Sequence, residues 1–263
     1  MTDTSNDERQ FDQTALLAAQ YGHRVHRDYL AHVFRWGWAT RYINSSPAGA
    51  RRVLEAGCGS DAPLFCSLRH SRASTFRPAF YVGVDLNKIP LISRRRPGSR
   101  LMDEMVLREE FNFVERWREL LDEYGATFDL AVSFEVIEHM TEEHGDEYLR
   151  GIHELLRPGG ELMISTPVFN GVAAANHIRE YTIDELREKL ERAGFTIKDR
   201  FGTFASYNDI KRGIDQAFDS DEAAVMRKLN ERVREFYGDE VMACFVAPLM
   251  PDHSRNNAWI AVK

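Results

Sequence analysis

The chain has 263 residues, enough to bury a full core as one domain with small additions. Hydrophobic residues make up 43% and charged residues 29%, which excludes a disordered polymer. A net charge of −7 excludes a whole-surface nucleic-acid binder, because phosphate contacts need clustered Lys and Arg.

The chain opens on MTDTSNDERQ, a polar stretch without the apolar region of a signal peptide. Residues 8–44 have a helical pattern and carry Phe34, Trp36, Trp38 and Tyr42. They are expected either to cap the sheet at the carboxyl ends of its strands or to pack as a plain core helix. RRVLEA, AFYVGVD, FDLAVSF and GELMIST then follow as short apolar runs rich in β-branched or aromatic residues, and each is predicted to be a strand. A further strand near RLMDEM (100–105) is weakly marked. Between the last two clear runs, EEHGDEYLRGIHELL places Tyr148, Ile152, Leu155 and Leu156 on one helical stripe. Arg157-Pro158-Gly159-Gly160 stops that helix, and Thr182 with Glu185 forms a capping box that opens TIDELREKLERAG before Gly194 closes it. Residues 206–240 look helical again, between the strand candidates FTIKDRFGTF and NNAWIAVK.

This βαβ alternation predicts a doubly wound α/β fold with a parallel sheet. The expected division is an N-terminal helical cap over 1–50, a cofactor-binding core over 51–205, a helical cap insertion over 206–250 and the final strand over 251–263. Cys58, Cys66 and Cys244 are too few and too oddly counted for a disulfide framework, and no paired CxxC offers a structural zinc site. The apolar stretch VMACFVAPLM (241–250) is too short to span a bilayer, so the protein is expected in the cytoplasm, away from membranes. Two basic stretches, 69–77 and 93–100, are either solvated loops or a phosphate track.

VLEAGCGSDAP (53–63) is a strand running into a glycine turn, and Gly57-Cys58-Gly59-Ser60-Asp61-Ala62 fits a variant of the dinucleotide fingerprint. Glu55, two residues ahead of the first glycine, argues against a pyrophosphate there and for the amino group of an amino-acid cofactor. Asp85, after the second strand, is placed to accept ribose hydroxyls, as it would be in an NAD enzyme too.

The series VLEAGCG, YVGVD, FDLAVSFEVIEHM and ELLRPGGELMISTP, over roughly residues 51–200, resembles the class I S-adenosylmethionine-dependent methyltransferases. The resemblance implies a Rossmann-like, seven-stranded, mostly parallel sheet whose antiparallel last strand NNAWIAVK can supply. It also implies that Glu55, Gly57, Cys58 and Gly59 surround the methionine part of the cofactor. Asp85 would bind the ribose, Asp103 would either meet the adenine or be a plain surface acid, and the Phe134-Glu135 backbone would flank the cofactor. The loop departs from the family in having Asp61 where a third glycine is usual.

FEVIEHM (134–140) would then lie beside the reactive methyl, and His177, after the fifth strand, would reach the same mouth. The set Glu135, Glu138, His139 and His177 resembles the ligands of two metal-dependent branches, the ubiquinone-biosynthesis O-methyltransferases and the small-RNA 3′-terminal 2′-O-methyltransferases. The cation implied is Mg²⁺ or Mn²⁺, which lowers the pKa of a bound hydroxyl. Without a metal, His139 or His177 is the expected general base. The leading expectation is O-methylation of a small acceptor with adjacent hydroxyls. An RNA terminus, a non-catalytic cofactor-binding module and an NAD enzyme stand as alternatives. His253, Arg255 and Asn256 either line the acceptor pocket or serve as turn residues before the last strand.

Overall fold

A computed structural model describes residues 27–45, 51–70, 80–90 and 105–263. A single sheet runs through it in the order β3-β2-β1-β4-β5-β7-β6. Its strands are β1 (Arg52–Ala56), β2 (Phe80–Val84), β3 (Met105–Arg108), β4 (Phe128–Phe134), β5 (Leu156–Pro167), β6 (Thr196–Phe204) and β7 (Asn256–Val262). The pairings from β3 to β5 are parallel, and β7 runs antiparallel to both β5 and β6. The expected seven-stranded sheet with an antiparallel last strand is therefore present. The weakly marked third strand begins only at Met105, and the rest of its expected stretch lies outside the described residues.

Burial on both faces explains why β4 reads as an apolar run interrupted only by Asp129 and Ser133. One face carries Leu54, Val82, Ala131, Leu162 and Trp259. It is covered by α3 (Phe113–Tyr124), α4 (Glu142–Leu155) and α5 (Ile183–Arg192). Val53, Tyr81, Leu130 and Met163 belong to the other face, packed with residues of α1 (Arg27–Asn44) and α2 (Pro63–His70). Helix α4 buries Tyr148, Leu149, Ile152 and Leu155 as one stripe. Lys263 Nζ donates to the carbonyls of His153 and Leu156 at its end, which places a cation where the helix dipole is negative. The capping box expected at Thr182 is present, and Gly194 follows in the left-handed region.

The N-terminal helix α1 has features of both expected placements: Leu30 and Ala31 near its start pack with Phe204 at the carboxyl end of β6, and its later turns run down the sheet. Trp38 stacks on Phe134 at 6.1 Å between ring centroids and meets Phe201 edge-on at 4.4 Å. Tyr42 OH, one turn on, donates to Glu161 at 2.9 Å. Aromatics four residues apart share one helix face, so this part of α1 lies along the sheet, while Arg35 reaches its carboxyl edge. The stretch between β6 and β7 folds as α6 (Tyr207–Ala217) and α7 (Ser220–Phe245), which kinks at Gly238. β6 ends and β7 begins at the carboxyl edge, so this insertion is rooted beside the mouth of the sheet.

Candidate functional site

The glycine loop after β1 is fastened to the end of β2. Gly57 and Cys58 both donate their amides to the Val84 carbonyl, at 2.9 and 3.0 Å. Gly57 and Gly59 have φ of +80° and +72°, and a Cβ on Gly57 would stand 2.4 Å from Val136 Cγ2. Only glycine meets both conditions. The loop's next left-handed residue is Ala62 and not Asp61, where the sequence departs from the family. Asp85 is buried, and its Oδ2 and Oδ1 accept the amides of Gly59 and Asn87 at 2.8 Å each. Burial raises its pKa, and those hydrogen bonds oppose the rise. Each carboxylate oxygen has two lone pairs, so both can still accept a hydroxyl.

Glu55 is placed differently from a carboxylate exposed to a ligand amine. Its side chain is buried beneath the loop, where Oε2 accepts the Tyr81 hydroxyl. Burial pushes its pKa up to about 8, the Tyr81 hydrogen bond opposes that, and the charge of Asp85 adds to it. Asp103 and the side chains of both basic stretches lie outside the described residues.

At the end of β4 the chain divides the expected ligand set between the two faces of the sheet. Glu135 has φ of +57°, a strained conformation for a residue with a side chain, costing roughly 1 kcal/mol or more. Its Oε1 accepts the Ser165 hydroxyl at 2.7 Å, its Oε2 accepts Asn256 Nδ2 at 2.7 Å, and the buried Arg35 guanidinium stands 3.8 Å away. Glu138 Oε2 instead accepts the hydroxyl of Thr166, at 3.1 Å. Ser165 and Thr166 are neighbours in one strand, so their side chains point to opposite faces. Glu135, expected as a ligand, is thereby held on the face of α1, while Glu138 turns to the other.

Glu138, His139 and His177 do come together, with one ligand atom from each within 4.8 Å of the others. Their rings meet edge to face at 5.0 Å. His139 Nδ1 donates to the Asn176 carbonyl at 3.1 Å, because a carbonyl can only accept. Its Nε2 therefore carries a lone pair and stands 4.0 Å from Glu138 Oε1. That oxygen is fully buried and has no hydrogen-bond partner. Burial, then the charge of Glu135, raises the Glu138 pKa well above the carboxylate range, and burial lowers that of His139. Two lone-pair atoms facing each other call for a proton or a cation between them. Ligand bonds of roughly 2.1 Å can span such a gap, and three donors leave positions open on an ion. The residues fit a divalent cation.

A methyltransferase domain model matches residues 21–199. The chain belongs to the methyltransferase domain family. Its class I fold matches the S-adenosylmethionine-dependent enzymes that the motif series resembles. Over 88 residues this methyltransferase domain is 35% identical to a probable S-adenosylmethionine-dependent methyltransferase of Mycolicibacterium smegmatis. That match takes in 30% of the chain and 33% of the relative, so it spans about a third of the relative's length. Among solved structures, the domain superposes on Burkholderia thailandensis 1,6-didemethyltoxoflavin-N1-methyltransferase with S-adenosylhomocysteine bound. The TM-score is 0.54 at 20% identity, over 95% of this chain and 86% of that one. A small RNA methyltransferase gives 0.54 at 18% identity, over 88% and 25% of the two chains. At these identities the likeness is one of fold.

Three features of the domain were not singled out in the sequence. Glu180 Oε1 lies 2.6 Å from His177 Nδ1. Thr166 holds Glu138, and Asn257, paired with Thr166 across β5 and β7, is fully buried with neither amide atom partnered. Polar residues at the carboxyl ends of otherwise apolar strands were the available signal. Asn256 joins the Glu135 network, while Arg255 donates to Asp209 at 2.7 Å and His253 lies in a short turn against Gly213.

Proposed function

We propose that this protein uses S-adenosylmethionine to methylate a hydroxyl oxygen of a small acceptor bearing adjacent hydroxyls, with a divalent cation held by Glu138, His139 and His177. The observation that carries the reading is the buried, unpartnered Glu138 Oε1 facing the lone pair of His139 Nε2. When bound, such a cation lowers the pKa of a coordinated hydroxyl. The chain's own part is positioning, which is where an in-line methyl transfer gains much of its rate. Gly57 and Gly59 let the backbone approach the cofactor, and Asp85 offers its remaining lone pairs to the ribose. If no cation is used, the neutral His139 can instead accept a proton at Nε2.

The segment that bears His177 favours a small acceptor over an RNA terminus. Residues 168–178 contain no Lys or Arg, and Phe169, Val172 and Ile178 are exposed along them. Such a rim suits an apolar ring better than a phosphate chain. The test is labelled S-adenosylmethionine with catechol-type and RNA acceptors, run with and without a chelator, beside calorimetry with S-adenosylhomocysteine. Chelation is expected to abolish product and leave cofactor affinity unchanged. Full turnover in thoroughly chelated enzyme would remove the cation from the reading.

A further inference from the structure

One short segment grips all three members of the cluster. The amides of Ile178 and Arg179 donate to the Glu138 carbonyl at 2.9 and 3.0 Å, and the Asn176 carbonyl takes the Nδ1 proton of His139. The third grip differs in kind. His177 Nδ1 lies 2.6 Å from Oε1 of Glu180, and that same oxygen accepts the Ala174 amide at 2.9 Å. Glu180 is only 6% exposed at its side chain, so the carboxylate is anchored and shielded from water. An oxygen that already accepts an amide N–H has lone pairs to offer the ring, which puts the ring proton on Nδ1 and a lone pair on Nε2. His139 owes the same state to a backbone carbonyl, which no side-chain substitution removes. His177 owes it to a side chain.

We propose that Glu180 is a positioning residue of the site: it holds His177 in the Nδ1–H tautomer and in the ring orientation that turns Nε2 towards Glu138. Its purpose rests on the cation reading above, since an imidazole binds a metal only through a lone pair. Outer carboxylates of this kind fix the tautomer of ligating histidines and strengthen them as donors. The competing account is that Glu180 merely ties the loop through the Ala174 amide. Glu180→Gln separates position from charge, because its Oε1 can still accept from both donors. Glu180→Ala removes both.

The direct test reads the His177 tautomer by long-range ¹H–¹⁵N correlation in metal-free, ¹⁵N-histidine-labelled protein, at a pH where the ring is neutral. The signal is assigned by comparison with His177→Ala. Wild type and Glu180→Gln are expected to show Nδ1–H, and Glu180→Ala to shift towards Nε2–H. Mn²⁺ titration followed by electron paramagnetic resonance should then show Glu180→Ala weakened about 10–100-fold, with Glu180→Gln much nearer wild type. An Nε2–H tautomer in wild type overturns the proposal, and this holds even if Glu180→Ala fails to fold. Glu180→Ala matching wild type in tautomer and Mn²⁺ affinity overturns it equally. Wild type that takes up no Mn²⁺ refutes the cation reading instead, while the tautomer result still judges Glu180.

Discussion

Replacing Glu55 by Gln should stabilise the protein at alkaline pH, although Glu55 sits in the strand that carries the glycine loop. In the unfolded chain this carboxyl titrates near its ordinary value of 4.5, and in the folded protein near about 8. Between those values the folded state keeps a proton that the unfolded state has lost. Stability therefore falls as pH rises across that window and is lowest above it. A tenfold change in proton affinity is worth about 1.4 kcal/mol, so the whole rise corresponds to a loss on the order of 5 kcal/mol by pH 9. Gln has the shape of the protonated acid and can still accept the Tyr81 hydroxyl, but it has no proton to lose. Urea unfolding of both proteins without cofactor, from pH 5 to pH 9, measures the difference. Near pH 5 the two should be close, and the variant should gain progressively above neutrality. Parallel profiles would refute the reasoning, since they would mean that Glu55 is charged in the folded protein at no cost.

Gly57→Ala should lose roughly 1–3 kcal/mol in urea unfolding, from its left-handed backbone and from the contact with Val136. Adding Val136→Ala should recover the steric share alone, and full additivity of the two changes would show that the contact is relieved elsewhere. Asp85→Ala should weaken S-adenosylhomocysteine by roughly 1.5–3 kcal/mol in calorimetry, through loss of charge-assisted hydrogen bonds. Unchanged affinity would place the ribose partner elsewhere, and NAD binding in the same instrument would unseat the cofactor assignment.

Most of the sheet was legible because its central strands are buried on both faces and so read as apolar runs. β3 was not, since four residues with alternating burial leave little pattern to find. Helix ends were readable where side-chain chemistry marks them, as at Thr182. The metal-type cluster was partly legible for a similar reason: Glu138 and His139 are adjacent, and His177 leaves the neighbouring strand. What spacing alone could not convey is that the chain leaves β4 through a left-handed Glu135, which puts Glu135 and Glu138 on opposite faces. The aromatics of α1 were visible, but which of them would pack was not: Trp38 meets Phe134 and Phe201 while Phe34 stays exposed, and that depends on tertiary packing. Glu180 was invisible because an acid three residues after a histidine acquires meaning only when the loop closes on itself.

The place of β7 bears on the order in which this protein assembles. It follows every other element along the chain, yet it must slot between β5 and β6. Closing the β6–β7 pair across residues 205–255 costs roughly 2 kcal/mol more loop entropy than a four-residue hairpin would. The strands that bear the glycine loop and Asp85 have no such constraint, being joined to one another by earlier and shorter connections. Asn256 and Asn257 reach the carboxyl edge only with β7, and the Arg35–Glu135 network closes through Asn256. A growing chain should thus be able to form the glycine loop and the Asp85 end of the sheet before it can close the Glu135 network. The Glu135 side of the carboxyl edge is then completed only when β7 has been made and inserted.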